Sequence, residues 1–121
     1  MEQLHQIALA LSDAIRLQIL ELLVEGRGSV CCSPENPEAP NGVCACDLLL
    51  KLDLASSRLS YHMKELREAG LTQEQKRGRW IYYTLNQETL TAFLHAVQAR
   101  YLKAEAEPQP LVSAQAQEER V

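Results

Sequence analysis

The residues with the most chemistry to offer are four cysteines. Cys44 and Cys46 are two apart, and Cys31 and Cys32 are adjacent upstream. Thiolate sulfur is a soft donor, suited to thiophilic ions such as arsenic(III), antimony(III), cadmium or copper(I). Residues at i and i+2 can turn both sulfurs onto one ion where a chain is extended or begins a helix. A helix N-terminus beside them also favours the thiolate form. Other uses of the thiols stay open. A single structural zinc is one, although Cys-Cys and Cys-x-Cys differ from the usual ligand spacing. Disulfides are another, opposed by a reducing cytosol. A thiol-oxidation or persulfide sensor is a third. A catalytic cysteine is not expected, since no Cys-x-x-Cys occurs and no histidine lies near a cysteine in sequence.

The second chemically loaded region is basic. The formal net charge of -4 seems at first to argue against a nucleic-acid partner. Its distribution is uneven. Residues 1–53 carry three basic groups against eight acidic ones, whereas residues 54–80 carry six basic against three acidic, a local +3. The stretch 81–104 is +1 and the end, 105–121, is -3. Phosphate contact needs a local basic surface rather than a basic protein.

These groups need elements to position them. At 121 residues, 46% hydrophobic and 23% charged, the chain reads as one globular domain of ordinary composition. It has no apolar run of the roughly 18–20 residues needed to cross a bilayer. The N-terminus lacks the order of a secretory signal, so a cytoplasmic protein with reduced thiols and no membrane partner is expected. Leu4, Ile7, Ala8 and Leu11 predict a short amphipathic helix. Ser12 reads as the cap of a second helix, with Asp13 in its first turn, continuing through Ile15, Ile19, Leu22 and Leu23 to Gly26. Residues 27–43 form an inserted Cys/Pro loop without periodicity, in which Pro34, Pro37 and Pro40 recur at every third position. Asp47–Leu52 predicts a short helix, and Asp53-Leu54-Ala55 a tight connection. Ala55 or Ser56 begins the next helix, whose Leu59, Met63 and Leu66 face the core. Leu71–Gln75 and Trp80–Leu85 predict a hairpin with Lys76-Arg77-Gly78-Arg79 at its tip. Asn86 caps a last helix, and 105–121 reads as a disordered tail.

Helix, tight turn, helix and basic hairpin make a winged helix-turn-helix, a mainly α fold with a small β-hairpin. The second helix of such a motif lies in the major groove. Its outward residues here are Ser56, Ser57, Arg58, Ser60, Tyr61, His62 and Lys64. Arg58 has the geometry for bidentate pairing with guanine, and the hydroxyls suit base edges or phosphates. Lys76, Arg77 and Arg79 are placed for the adjacent backbone or the minor groove. Trp80 and Tyr82 read as residues that anchor the wing.

Four motifs, in order, carry a family resemblance: Leu11-Ser-Asp13-Ala-Ile-Arg16, Cys44-Ala-Cys46-Asp47-Leu48, Ser60-Tyr-His62-Met-Lys-Glu-Leu66-Arg-Glu-Ala-Gly70-Leu71, and Arg77-Gly78-Arg79-Trp80-Ile-Tyr-Tyr83. Over residues 4–104 the chain resembles the ArsR/SmtB family of homodimeric winged-helix repressors, which release DNA on binding metals or metalloids. The Cys-x-Cys-Asp-Leu pattern is similar to the arsenic- and cadmium-sensing branches. The resemblance implies an arsenic(III) or antimony(III) inducer, no organic cofactor, and a pseudo-palindromic operator. It leaves cadmium and zinc as other ions for the same thiols. It also implies a domain over 1–104, with Leu4, Ile7, Leu90, Phe93, Leu94, Val97 and Tyr101 at the dimer interface. Arsenic(III) is expected to prefer three thiolates. Where the arsenic branch often has a third cysteine, this chain has Leu49, so Cys31 or Cys32 is expected to complete the site. The family's zinc site on the last helix finds only His95 here.

Overall fold

The computed structural model describes residues 2–27 and 33–102. Helix α1 (Glu2–Ala10) ends where Ser12 turns back, its Oγ donating to the Leu9 carbonyl at 2.6 Å. The sequence favours Ser12 as the next cap, but with that hydroxyl engaged the cap falls to Asp13. Its Oδ1 accepts the amides of Ile15 at 2.8 Å and Arg16 at 3.1 Å at the start of α2 (Ala14–Glu25). These amides, Arg16's first, hold the Asp13 carboxyl below its ordinary value.

Beyond the inserted segment lies β1 (Val43–Cys44), then α3 (Ala45–Leu52), which begins two residues before the expected Asp47. Asp47 falls in its first turn, where a carboxylate suits the helix dipole, and pairs with Lys51 at 3.5 Å. Asp53 closes α3 in the left-handed region, at φ 54°. Leu54 and Ala55 then lead straight into α4 (Ser56–Glu68), as the tight connection predicts. A Schellman end terminates α4: Leu71 N–H reaches the Leu66 carbonyl at 3.0 Å and Gly70 N–H that of Arg67 at 2.9 Å, with Gly70 at φ 80°.

The hairpin strands are β2 (Thr72–Arg77) and β3 (Trp80–Leu85), and α5 (Gln87–Tyr101) follows. The turn is only Gly78-Arg79, so Lys76 and Arg77 lie in β2 rather than at the tip. Antiparallel pairing of β1 with β3 makes a three-stranded sheet, ordered β1-β3-β2, where the sequence predicts two strands.

One face of this sheet, with Val43 and Tyr83, closes on a helical core that includes Ile19, Leu48, Leu59, Met63 and Leu66. Each such aliphatic side chain contributes about 1.5–3 kcal/mol of burial. The opposite face is covered by residues 33–42. This segment is built from two consecutive turns, closed by Ala39 N–H to the Asn36 carbonyl at 3.0 Å and Gly42 N–H to the Ala39 carbonyl at 2.8 Å. Pro37 and Pro40 each take the second position of a turn, where a fixed φ is favourable. The three-residue proline spacing is therefore a turn repeat. Gly42 is required by space: a Cβ there would lie 3.1 Å from the Ala39 carbonyl oxygen and 3.2 Å from the Tyr82 Cβ.

Candidate functional site

Cys44 is both the last residue of β1 and the N-cap of α3. Its Sγ accepts the Cys46 amide at 3.3 Å, which turns the chain from strand to helix in one residue. The same turn brings the Cys44 and Cys46 sulfurs to 2.7 Å. Cys44 is 2% exposed and Cys46 is half-buried, so the pair is reached from one side. Two soft donors converging on one point fit two positions of a thiophilic ion. Among the described residues, no set of three His, Cys, Asp or Glu side chains forms a metal-binding cluster. Leu49 packs against the core. Cys31 and Cys32 lie outside the described residues.

One turn after α3, helix α4 presents Ser56, Ser57, Arg58, Ser60, Tyr61 and Lys64 to solvent, as its spacing predicts. Lys64 pairs with Glu68 at 4.0 Å along the helix, and Arg67 with Glu74 of β2 at 3.1 Å. His62 departs from the expected DNA-facing set. It is 4% exposed, turned inward between Leu59 and Leu66, with Nδ1 3.3 Å from Arg16 Nη1. Burial pushes its imidazole below the ordinary histidine value. Asp13 opposes that shift, Arg16 and Arg58 add to it, and Glu65 opposes it. On the wing, Lys76, Arg77 and Arg79 are all exposed. The Arg79 guanidinium lies 4.9 Å from the Trp80 ring centroid, and Arg77 Nη1 donates to Asn36 Oδ1 at 2.9 Å. Tyr82 is buried under the inserted segment, so it anchors the wing as expected.

No protein-family profile matches the chain. Over 86 residues it is 35% identical to the arsenical resistance operon repressor of Bacillus subtilis, a match covering 70% of this chain and 68% of that one. The chain belongs to the ArsR family of winged-helix regulators. It is also 39% identical over 46 residues to the arsenic resistance transcriptional regulator ArsR1 of Pseudomonas putida, covering 38% of this chain and 36% of that relative. In fold it is similar to a homodimeric winged helix-turn-helix DNA-binding domain of Mycobacterium bovis, with a TM-score of 0.59, 19% identity and 89% of each chain covered. ArsR-family proteins are regulators of transcription, not enzymes.

In this ArsR-family chain, α1 and α5 pack together and leave an apolar face. No residue of α5 is fully buried. Leu94 is 56% and Tyr101 67% exposed, while Leu4, Leu90, Phe93 and Val97 are half-buried. Ile7 differs from this set, since at 3% exposure it belongs to the core of the single chain. His95 is exposed on α5. No described helix is long and apolar enough to cross a membrane.

Two polar features escape a reading of the sequence. Arg16 is buried at 8% exposure, its Nε donating to the Ala10 carbonyl at 2.8 Å, so it fastens the end of α1 to α2 and α4. Asn36 is buried at 1% within the covering segment. Its signal was the Asn36-Pro37 step opening a proline-led turn.

Proposed function

We propose that this protein is a homodimeric repressor that releases operator DNA when arsenic(III) or antimony(III) is ligated by Cys44 and Cys46, and so controls arsenic resistance genes. The observation that carries this reading is the convergence of the two thiols at the N-cap of α3, one tight turn ahead of α4. The names of the Bacillus and Pseudomonas relatives support the inducer class. Cys31 or Cys32 supplies the third thiolate, from the same protomer or its partner. Ser56, Ser57, Arg58, Ser60, Tyr61 and Lys64 meet base edges and phosphates in the major groove, and Lys76, Arg77 and Arg79 meet the flanking backbone. The faces of α1 and α5, with Leu4, Leu90, Phe93, Leu94, Val97 and Tyr101, pair with their symmetry mates. Two-fold symmetry then sets two reading helices about one DNA turn apart, on a pseudo-palindromic operator. Ligand drawn onto Cys44 and Cys46 reorients the start of α3, and the short Asp53–Ala55 connection passes that change to α4. A coupling of roughly 1–3 kcal/mol, about 5–150-fold in affinity, is enough for derepression in the cytoplasm.

The test is fluorescence anisotropy of the reduced protein on DNA carrying its own promoter, titrated with arsenite, antimonite, cadmium and an oxidant. Arsenite or antimonite is expected to release DNA at the lowest concentration. Cys44→Ser and Cys46→Ser are expected to bind DNA and resist release. Wild-type release by either variant overturns the ligand assignment, and release by the oxidant or cadmium alone moves the inducer to that class. An absence of salt-sensitive, sequence-dependent binding overturns the repressor reading and leaves a structural zinc or interaction module.

A further inference from the structure

Cys44 heads a row of side chains that crosses the sheet. The pairing register sets Cys44 opposite Tyr82, and Tyr82 opposite Gln75. Residues paired directly across strands share a face, so these three lie on the face turned away from the helical core. The inserted segment lies along this row. The Tyr82 hydroxyl donates to the Pro34 carbonyl. Asn36 Nδ2 donates to Gln75 Oε1 at 2.9 Å, and Gln75 Nε2 donates to a Glu38 carboxylate oxygen. Asn36 Oδ1 accepts both its own turn, through Glu38 N–H at 3.1 Å, and Arg77 Nη1 at 2.9 Å. The segment then runs through Gly42, with no slack, into β1 and Cys44.

We propose that residues 33–42 are a brace between the thiol pair and the wing, with Asn36 the positioning residue at its centre. The inference deepens the function proposed above and rests on Cys44 and Cys46 as ligands. Asn36 is suited to the role because one buried amide satisfies donors and acceptors on both bodies. A displacement at β1 that the brace follows must break these bonds or carry β2 with it. Arg77, held by Asn36, then changes its aim toward DNA. The thiol site thereby reaches the DNA surface by a second route, separate from the α3–α4 connection.

Trp80, the only tryptophan, starts β3 beside the turn and reports on the wing without added label. The experiment adds arsenite to the reduced, DNA-free full chain. It follows arsenic–thiolate absorbance for binding and Trp80 emission for the wing, with operator affinity measured in parallel. Wild type is expected to shift its Trp80 emission in step with binding. Asn36→Ala is expected to bind arsenite with unchanged stoichiometry and to hold apo affinity within about threefold. Its Trp80 response is lost, and its affinity ratio with and without arsenite falls well below that of wild type. Gln75→Ala repeats the test if Asn36→Ala does not fold. Asn36→Asp keeps the acceptor for Arg77 and Glu38 N–H but loses the donor to Gln75, so it is expected to fall between Asn36→Ala and wild type, a grading that a merely structural role does not require. A wild-type Trp80 response retained in both alanine variants overturns the brace. So does arsenite release of DNA with Trp80 silent, an outcome that leaves the repressor reading standing. Absence of the absorbance band instead removes the ligand assignment, and the brace with it.

Discussion

Replacing Arg16 by alanine is expected to loosen the packing of α1, α2 and α4, although the residue touches neither thiol and no exposed side chain of α4. Its guanidinium makes three contacts from a nearly closed site: Nε to the Ala10 carbonyl at 2.8 Å, Nη1 to His62 Nδ1 at 3.3 Å, and Nη2 to the Leu9 carbonyl at 3.5 Å. The last is at the edge of hydrogen-bond length and counts for little. The first two are bonds from a charged donor, each contributing about 1.5–3 kcal/mol net. Taking the low end for both, Arg16→Ala costs about 3 kcal/mol. The Ala10 carbonyl ends α1 and has no further helical turn to accept from, so its loss is not recovered locally, whereas the Leu9 carbonyl keeps Ser12 as donor. Against a usual total of about 5–15 kcal/mol this is large. For a domain of this size it lowers Tm by roughly 12–24 °C. Urea and thermal unfolding at one fixed protein concentration measure it, since dimer stability depends on concentration. Arg16→Lys, which loses the fork, is expected to fall between the two. A loss under about 1 kcal/mol would refute the reasoning. It would mean that Ile7 and Ala10, by apolar packing alone, set α1 against α4.

Three further outcomes follow from the same contacts. His62 has a depressed imidazole pKa, so the unfolded chain binds the proton more readily near pH 6.5. Its contribution is therefore fully present above that pH and is lost as pH falls toward the folded value; His62→Gln should flatten the stability–pH profile there, as read by urea midpoints. Asp53 adopts φ 54°, so Asp53→Gly is expected to relieve up to about 1 kcal/mol of left-handed strain, offset by chain entropy. Thermal melts should show it neutral or slightly stabilised, and Asp53→Val clearly destabilised. Gly42→Ala crowds the Ala39 carbonyl and Tyr82, so it is expected to lift the covering segment and raise proteolysis within residues 33–42 while the helices keep their circular dichroism.

Helical periodicity made most of the fold legible, because Leu59, Met63 and Leu66 or Ile15, Ile19 and Leu22 repeat at intervals only one element satisfies. Helix α4 and its exposed face were legible for the same reason. His62 was not. On a helix, a flank position is exposed or buried according to the neighbouring body, and here that body is Arg16, 46 positions away in sequence. β1 was hidden because two residues carry no period, and its partner β3 lies nearly forty residues on. The prolines were visible as a spacing but not as turns, since proline fixes its own φ and says nothing about what the turn packs against. Cys44 and Cys46 were legible as a converging pair from i, i+2 spacing at a helix start. Their burial, and the row from Cys44 to Gln75, depend on sheet register, which no local pattern specifies.

In the proposed mechanism, the distribution of charge accounts for how small movements at the thiols would suffice. Of six cations between residues 54 and 80, Lys64 and Arg67 are paired with Glu68 and Glu74, and Arg77 is bonded to Asn36. Arg58, Lys76 and Arg79 make no ion pair among the described residues. Each neutralised phosphate contributes a salt slope of about 0.9, so three or four contacts give a single protomer only weak attachment. In the proposed dimer the second reading head binds intramolecularly once the first has docked, and that step supplies much of the affinity. It is also the step most sensitive to the angle between the heads, because both helices must meet grooves at a fixed spacing. Displacing α4 or the wing by an ångström or two therefore need not weaken either half-site contact; spoiling their simultaneous engagement is enough to release the operator.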